Sequence, residues 1–331
     1  MNCAQSEVWT LAEVRGKKVH SVAYELLAWG RTLADDLACP LASVVIGYGV
    51  ESCAAELISA GADKVYIIND KAFENFKPDA QLAMLETLIE KYNPSILIAS
   101  ATTQGRTLMP MIQAKLGCGL TADCTNLSIE PETLRLIQSR PAIGGNVMAN
   151  IKTKGRNPQM CTVRPKSKRP LPKDSQRTGE VIYEKPCANA LKSLFNFIQF
   201  IPEKMIGVPI QEAEVIVCGG KGMKNAKNWA KLEELAALIG GTIGATRAAV
   251  DLGFAPYSAQ IGLSGKAVTP RLYICFGVSG AVQHIAGMSA AETIIAVNTD
   301  AEAPIFRVAD LCIQADATEF ITALINALKA R

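Results

Sequence analysis

The chain predicts two α/β domains, each with a mainly parallel sheet flanked by helices, and three observations carry that prediction. Short apolar runs alternate with longer amphipathic stretches through both halves, which is the pattern of βα units feeding a parallel sheet. Five such runs between residues 214 and 316 each give way to a glycine or a polar residue at the strand end. Finally, 331 residues exceed what one core ordinarily supports, and 49% hydrophobic against 20% charged residues suits sheets covered on both faces.

In the first half, residues 8–11 read as a strand, 22–37 as an amphipathic helix, and 42–46 as a strand ending at Gly47. Residues 52–60 follow as a helix stopped by Gly61, then a strand at 64–68, a helix at 80–91 and a strand at 96–99. Thr102-Thr103-Gln104-Gly105-Arg106 opens a helix that runs to Leu116. The glycine and arginine there could hold an anion at a helix N-terminus, and capping by Thr102 or Thr103 explains them as well. From 126 to 163 the pattern shifts to shorter strands, with turns at Glu130-Pro131 and Gly144-Gly145. Residues 195–201 are apolar, and Pro202, Gly207 and Pro209 punctuate the next stretch, so the domain boundary is placed at 205/206.

Residues 152–177 carry nine Lys or Arg and one acid, Asp174. A nucleic-acid surface would interleave aromatic residues, and this stretch has none, while the whole chain carries only +3. A solvated connecting segment or a partner-facing surface is the expectation. Ten cysteines show no C-x-x-C pair and only two histidines, His20 and His284, are present. Metal sites and iron–sulfur clusters, which need grouped ligands, are therefore not expected, and reduced, scattered thiols are. No apolar run reaches the ~20 residues of a membrane span. The first residues lack a signal layout, Glu7 and Glu13 argue against a mitochondrial presequence, and a cytoplasmic location is the expectation.

In the second half, strands are expected at 214–218, 242–245, 272–276, 293–297 and 311–313. They are followed respectively by Gly219-Gly220-Lys221-Gly222, Thr246-Arg247, the run from Gly277 to His284, Asn298, and Asp316-Ala317. Ligands of open parallel sheets sit outside the carboxyl ends of the strands, so these residues should converge on one groove. Glycine turns there would let backbone N–H groups approach a pyrophosphate, with Lys221, Arg247 and Lys266 adding positive charge. Asn298 and Asp316 could bond ribose or adenine, while Ser264, Gln283 and His284 could face an electron-accepting ring. No complete G-x-G-x-x-G or P-loop is present, and Gly277-Val278-Ser279-Gly280-Ala281 falls short of a nucleophile elbow. The groove is suited to holding a dinucleotide rather than cutting bonds. Read from residue types alone, it would serve an electron carrier, a self-sufficient dinucleotide oxidoreductase or a nucleotide-binding regulatory module.

The stretches Thr246-Arg247-Ala248-Ala249-Val250-Asp251-Leu252-Gly253, Gln260-Ile261-Gly262-Leu263-Ser264-Gly265-Lys266, Gly277-Val278-Ser279-Gly280-Ala281-Val282-Gln283-His284 and Ala303-Pro304-Ile305-Phe306 resemble the α subunit of electron transfer flavoproteins. Similarity continues more weakly through Gly105-Arg106, Ala114-Lys115-Leu116-Gly117 and Asp123. The resemblance implies a heterodimer with a β subunit. Residues 1–205 would form the α/β domain packing with that subunit, and 206–331 a Rossmann-like FAD-binding domain. The chain would carry electrons from a dehydrogenase, in the first instance an acyl-CoA dehydrogenase. Alternatively it would serve an electron-bifurcating complex in which NADH and ferredoxin act through the β subunit. Thr162-Val163-Arg164-Pro165 is similar to a segment of the bifurcating members.

The cofactor residues implied are Lys221, Thr246, Arg247, Ile261, Gly262, Leu263, Ser264, Ser279, Gly280, Ala281, Val282, Gln283, His284, Asn298, Asp316 and Ala317. Among them Arg247 would lie against the flavin ring, Ser264 would donate near N5, and His284 would act near the C2 carbonyl, where negative charge gathers on reduction. Leu263-Ser264 stands where the commoner family pattern has Gln-Thr, and Lys221 where many members have Arg. A serine can still donate, and a lysine can still meet a phosphate without the bidentate fork. No catalytic acid or base and no metal ligand is expected; the cofactor carries the chemistry.

Overall fold

A computed structural model describes residues 6–142, 147–199, 201 and 209–330. These fall into two compact units, one of residues up to 199 and one from 201 onward. The boundary expected at 205/206 and the turn expected at Gly144-Gly145 lie outside the described residues.

The first unit runs β1 (Val8–Ala12), β2 (Val14–Arg15), β3 (Lys18–Val19), α1 (Ser21–Asp36), β4 (Leu41–Gly47), α2 (Cys53–Ser59), β5 (Lys64–Asn69), α3 (Pro78–Tyr92), β6 (Ile96–Ser100) and α4 (Thr103–Leu116). It continues with β7 (Leu120–Cys124), β8 (Asn126–Glu130), β9 (Arg135–Pro141), β10 (Met148–Lys152), β11 (Gln159–Val163) and β12 (Glu180–Tyr183). Seven strands form one parallel sheet in the order β12-β5-β4-β1-β6-β11-β7, and β8, β9 and β10 form a separate antiparallel sheet. β1, β4, β6 and β11 are buried along their whole length, because helices cover both faces. Trp9, Tyr66 and Leu85 pack on one face and Leu26, Leu27 and Leu57 on the other. Helix ends follow local chemistry: the Thr102 hydroxyl accepts from Gly105 N at 3.2 Å to start α4, and Gly117 ends it in the left-handed region at φ 64°.

The expected strands and helices are all present to within a residue or two. The chief differences lie in the basic stretch. Its middle is β11, fully buried between β6 and β7. Its end lies on the first unit rather than standing free: Lys168 sits 4.3 Å from the Trp29 ring, Lys173 4.4 Å from the Tyr24 ring, and Arg177 pairs with Asp63 at 2.6 Å. Cation–ring contacts and one ion pair with α1 and its surroundings absorb charges that the sequence left solvated. β12 then adds an edge strand beside β5.

The second unit runs β13 (Val215–Gly219), α5 (Ala226–Leu238), β14 (Thr242–Ala245), α6 (Arg247–Asp251), β15 (Leu272–Phe276), α7 (Val282–Met288), β16 (Thr293–Asn298), β17 (Leu311–Gln314) and α8 (Ala317–Lys329). All five strands are parallel in the order β14-β13-β15-β16-β17. This is the five-stranded doubly wound order, with its direction reversing between β13 and β15. Trp229, Leu232, Phe276 and Ile321 fill one face, and Ile216, Tyr273, Met288 and Ile305 the other. No helix among the described residues is long and apolar enough to cross a membrane.

Candidate functional site

A cleft of about 880 Å³ opens at the carboxyl edge of the second sheet, over the point where strand order reverses. Five chain segments meet there: the turn after β13, the start of α6, the loop 260–266, the turn between β15 and α7, and the stretch that follows β16.

The glycines of the first turn serve a different purpose from the one expected. Gly220 N–H donates to Phe276 O at 3.0 Å and Gly222 N–H to Gly277 O at 3.0 Å, so those groups are spent on the neighbouring turn. A Cβ on Gly220 would stand 2.1 Å from Gly277 O, which only glycine avoids. The open donors are found on the other turn. Among the described residues no hydrogen bond takes the N–H of Ser279, Gly280 or Ala281, all of which line the cleft. Gly280, at φ 84°, aims this row by entering the left-handed region, and its Cα sits so close to Ile305 N that a Cβ would fall 2.3 Å away. Successive N–H groups around such a turn form an anion-binding nest. Lys221 and Arg247 stand on the cleft wall. Arg247 is exposed and only loosely paired with Asp251 at 3.5 Å, an arrangement worth well under ~1 kcal/mol and easily exchanged for a ligand. Thr246 caps α6 by accepting from Ala249 N at 3.3 Å, which fixes where Arg247 begins.

The loop 260–266 is strapped to α7. Leu263 N–H donates to Gln283 O at 2.8 Å, and the buried Gln260 donates through Nε2 to Ser264 Oγ at 3.0 Å. That bond fills a lone pair of the hydroxyl and leaves its own hydrogen free to donate. Gln260 is thus a site residue that residue types alone did not single out; its amide reaches the cleft only through Ser264.

His284 differs from the expectation. It is 6% exposed, with Nδ1 3.1 Å from Ile261 O and Nε2 2.9 Å from the Tyr273 hydroxyl. Burial pushes its imidazole down to about 4, with the Ile261 carbonyl only partly opposing this. Both ring nitrogens are engaged inside the protein, so no free ring N–H points to a ligand carbonyl.

Asn298 lines the cleft, yet its side chain braces the site: Nδ2 donates to Val278 O at 2.9 Å and Oδ1 accepts from Asp300 N at 3.0 Å. Ile261, Gly262, Leu263, Ser279, Ala281 and Gln283 are brought to the same cleft as expected, joined by Ala248, Asp251, Val278, Asp300 and Ala303. Three expected residues are not on its lining. Val282 is exposed in the first turn of α7. Asp316 caps α8 through Thr318 N and Glu319 N, while Ala317 is buried at the start of that helix. Lys224 at 2.8 Å, with those two N–H groups, holds the Asp316 carboxyl down at about 2. Lys266, also expected to add charge, is outside the lining.

The open N–H row, flanking cations, a donor hydroxyl and apolar walls fit a long anionic ligand with a flat ring. In the first unit, the choice left open at Gly105-Arg106 resolves to a cap. Thr102 receives Gly105 N–H, a Cβ on Gly105 would lie 1.9 Å from Ser100 O, and Arg106 approaches Asp123 at 3.7 Å. The described cysteines are free, and no group of metal-ligating side chains occurs among the described residues.

Comparison with known proteins adds names to this geometry. Residues 8–188 match the electron transfer flavoprotein domain, and residues 209–289 match the electron transfer flavoprotein FAD-binding domain. The electron transfer flavoprotein subunit alpha of Thermoanaerobacterium thermosaccharolyticum is 40% identical over 98% of this chain and 98% of its own. Protein FixB of Clostridium saccharobutylicum is 39% identical over 99% of this chain and 98% of its own. Lactate dehydrogenase (NAD(+),ferredoxin) subunit LctC of Acetobacterium woodii is 37% identical over 94% of this chain and 74% of its own.

Proposed function

The chain belongs to the electron transfer flavoprotein α-subunit family, whose cofactor is FAD, and from that premise we propose that it carries electrons as the α subunit of a heterodimer with a β subunit. Residues 1–205 make the domain that packs with the β subunit, and 206–331 the flavin domain. The complex works in the cytoplasm, takes electrons from an acyl-CoA dehydrogenase or a related dehydrogenase, and passes them to a downstream acceptor. It is a carrier rather than a self-sufficient enzyme.

The open N–H row of Ser279, Gly280 and Ala281 beside Lys221 and Arg247 is the observation that supports the reading most directly. That row and Lys221 hold the pyrophosphate. Arg247 would offset negative charge on the ring, and the Ser264 hydroxyl, oriented by Gln260, would be free to donate to it. Ile261, Leu263 and Ala281 keep water from the ring face, while Asn298 braces the turn that carries Val278. FAD, when bound, supplies the one- and two-electron chemistry itself. No side chain of the cleft is needed as an acid.

A second reading, as part of an electron-bifurcating complex, is favoured by the name of the LctC relative, in which NAD(+) and ferredoxin both appear. NADH and ferredoxin then act through the β subunit. Purification with the β subunit, flavin counting and NADH titration separate the two. One FAD per heterodimer without response to NADH is the outcome for a simple carrier, and two FAD with rapid bleaching is the outcome for bifurcation. A colourless preparation that takes up no added FAD would overturn both.

A further inference from the structure

The cleft lining carries two cations, Lys221 and Arg247, and two acids, Asp251 and Asp300, and they are not placed alike. Lys221 is in no ion pair among the described residues, whereas Arg247 has Asp251 against it, Nε to Oδ2, at 3.5 Å. Asp300 is spent on its own turn: Oδ1 accepts from Glu302 N–H at 2.9 Å, and its carbonyl from Ala303 N–H at 3.2 Å. Among the described residues the Asp251 carboxylate receives no backbone N–H, and its partner is Arg247.

The pair does not serve the helix that carries it. Arg247 is the first residue of the five-residue α6 and Asp251 the last. Acids are favoured at the amino end of a helix and cations at the carboxyl end, and an i, i+4 pair is stronger with the acid first; both rules are reversed here. The start of α6 is secured instead by Thr246. The two side chains are 71% and 65% exposed, so packing does not account for them either. An acid in a cleft suited to an anion weakens its attraction, and the fold draws nothing from it in return.

We propose that Asp251 is a positioning residue for the flavin site that acts through Arg247. It draws the guanidinium toward the end of α6 and offsets its charge, and when negative charge arrives in the cleft the guanidinium leaves Asp251 for it. Breaking the pair subtracts from what Arg247 gives a reduced ring, so Asp251 holds the flavin harder to reduce than Arg247 alone would make it. This rests on the reading of the cleft as the flavin site with Arg247 toward the ring. The geometry suits an exchange: the pair is longer and far more exposed than Arg31–Asp63 of the first unit, which closes to 2.7 Å.

Potentiometric titration of the heterodimer tests it. Asp251→Asn should bind FAD and be easier to reduce than wild type by about threefold, the scale of an exposed ion pair, or ~30 mV for one electron. Asp251→Glu, which keeps the charge, should return close to the wild-type potential. In an Arg247→Ala background the Asp251→Asn change should shift the potential by less than half as much, because the partner it acts through is gone. At an ionic strength near 1 M, where the screening length falls to ~3 Å, the difference between Asp251→Asn and wild type should shrink by at least half.

Equal shifts with and without Arg247 would mean that Asp251 acts by its own field, and would overturn the proposal. So would a shift indifferent to salt. Asp251→Ser repeats the test if the asparagine protein does not fold. FAD bound at an unshifted potential refutes the proposal alone, whereas a heterodimer that takes up no FAD refutes the flavin reading and the proposal with it.

Discussion

Both units are doubly wound parallel sheets, and both have a hollow at the carboxyl edge where strand order reverses, yet one is nearly filled and the other is open. In the first unit the hollow is about 170 Å³, walled by Leu11, Ile46, Tyr48, Phe73 and Leu108. Across it the buried Glu13 accepts from the Thr102 hydroxyl, while its second oxygen has no partner. In the second unit the hollow is about 880 Å³, with small residues at the strand ends and unspent backbone donors. A shared topology supplies the location, and the side chains at the strand ends decide whether anything can occupy it.

The strongest way to break the contrast is to put side chains where the second unit has none. Gly280→Ala should strain a residue at φ 84° and drive a Cβ toward Ile305 N, 2.3 Å away. FAD affinity should fall at least a hundredfold, ~3 kcal/mol, by fluorescence titration. The matching change in the first unit, Gly105→Ala, should lower Tm while the folded fraction binds FAD normally. Equal loss of flavin from both would dissolve the distinction.

Charge gives a smaller effect. Arg247→Ala should make the flavin harder to reduce by roughly 60 mV per electron with FAD still bound, and Arg247→Lys should recover most of that, read by potentiometric titration. A potential unmoved by both changes would remove Arg247 from the ring.

The smallest effect sharpens the first unit's side of the comparison. Burial raises the Glu13 carboxyl more than Thr102 and Arg15 lower it. A carboxyl raised on folding stabilises fully below its unfolded value, and that contribution is lost as pH rises through the folded value. Glu13→Gln is neutral throughout, so thermal stability should lose that pH slope and change by no more than about 1 kcal/mol near neutrality. Flavin content should stay the same; loss of FAD would mean that the filled hollow is not inert.

The order of strands and helices, the two-unit division, and the set of strand ends that could meet a nucleotide were legible because they depend on local period and turn chemistry. The residues of β13, β14 and β15 announce their strands, and Thr246-Arg247 and Ser279-Gly280-Ala281 announce the cleft, since each lies within a few residues of a strand end. What the chain order could not show is which partner each group finds. Gly220 and Gly222 give their N–H groups to Phe276 and Gly277, some 55 residues away in sequence, and so leave the anion site to the other turn. Asp316 follows a strand as well, but Lys224 and the start of α8 claim its carboxylate. His284 has its two ring nitrogens engaged by a carbonyl from one loop and a hydroxyl from the sheet beneath it. Backbone periodicity is encoded neighbour by neighbour, so the sequence determined the scaffold and the candidates. Hydrogen-bond satisfaction in a buried site is a contest among distant segments, and only the tertiary structure decided which candidates remained free to bind.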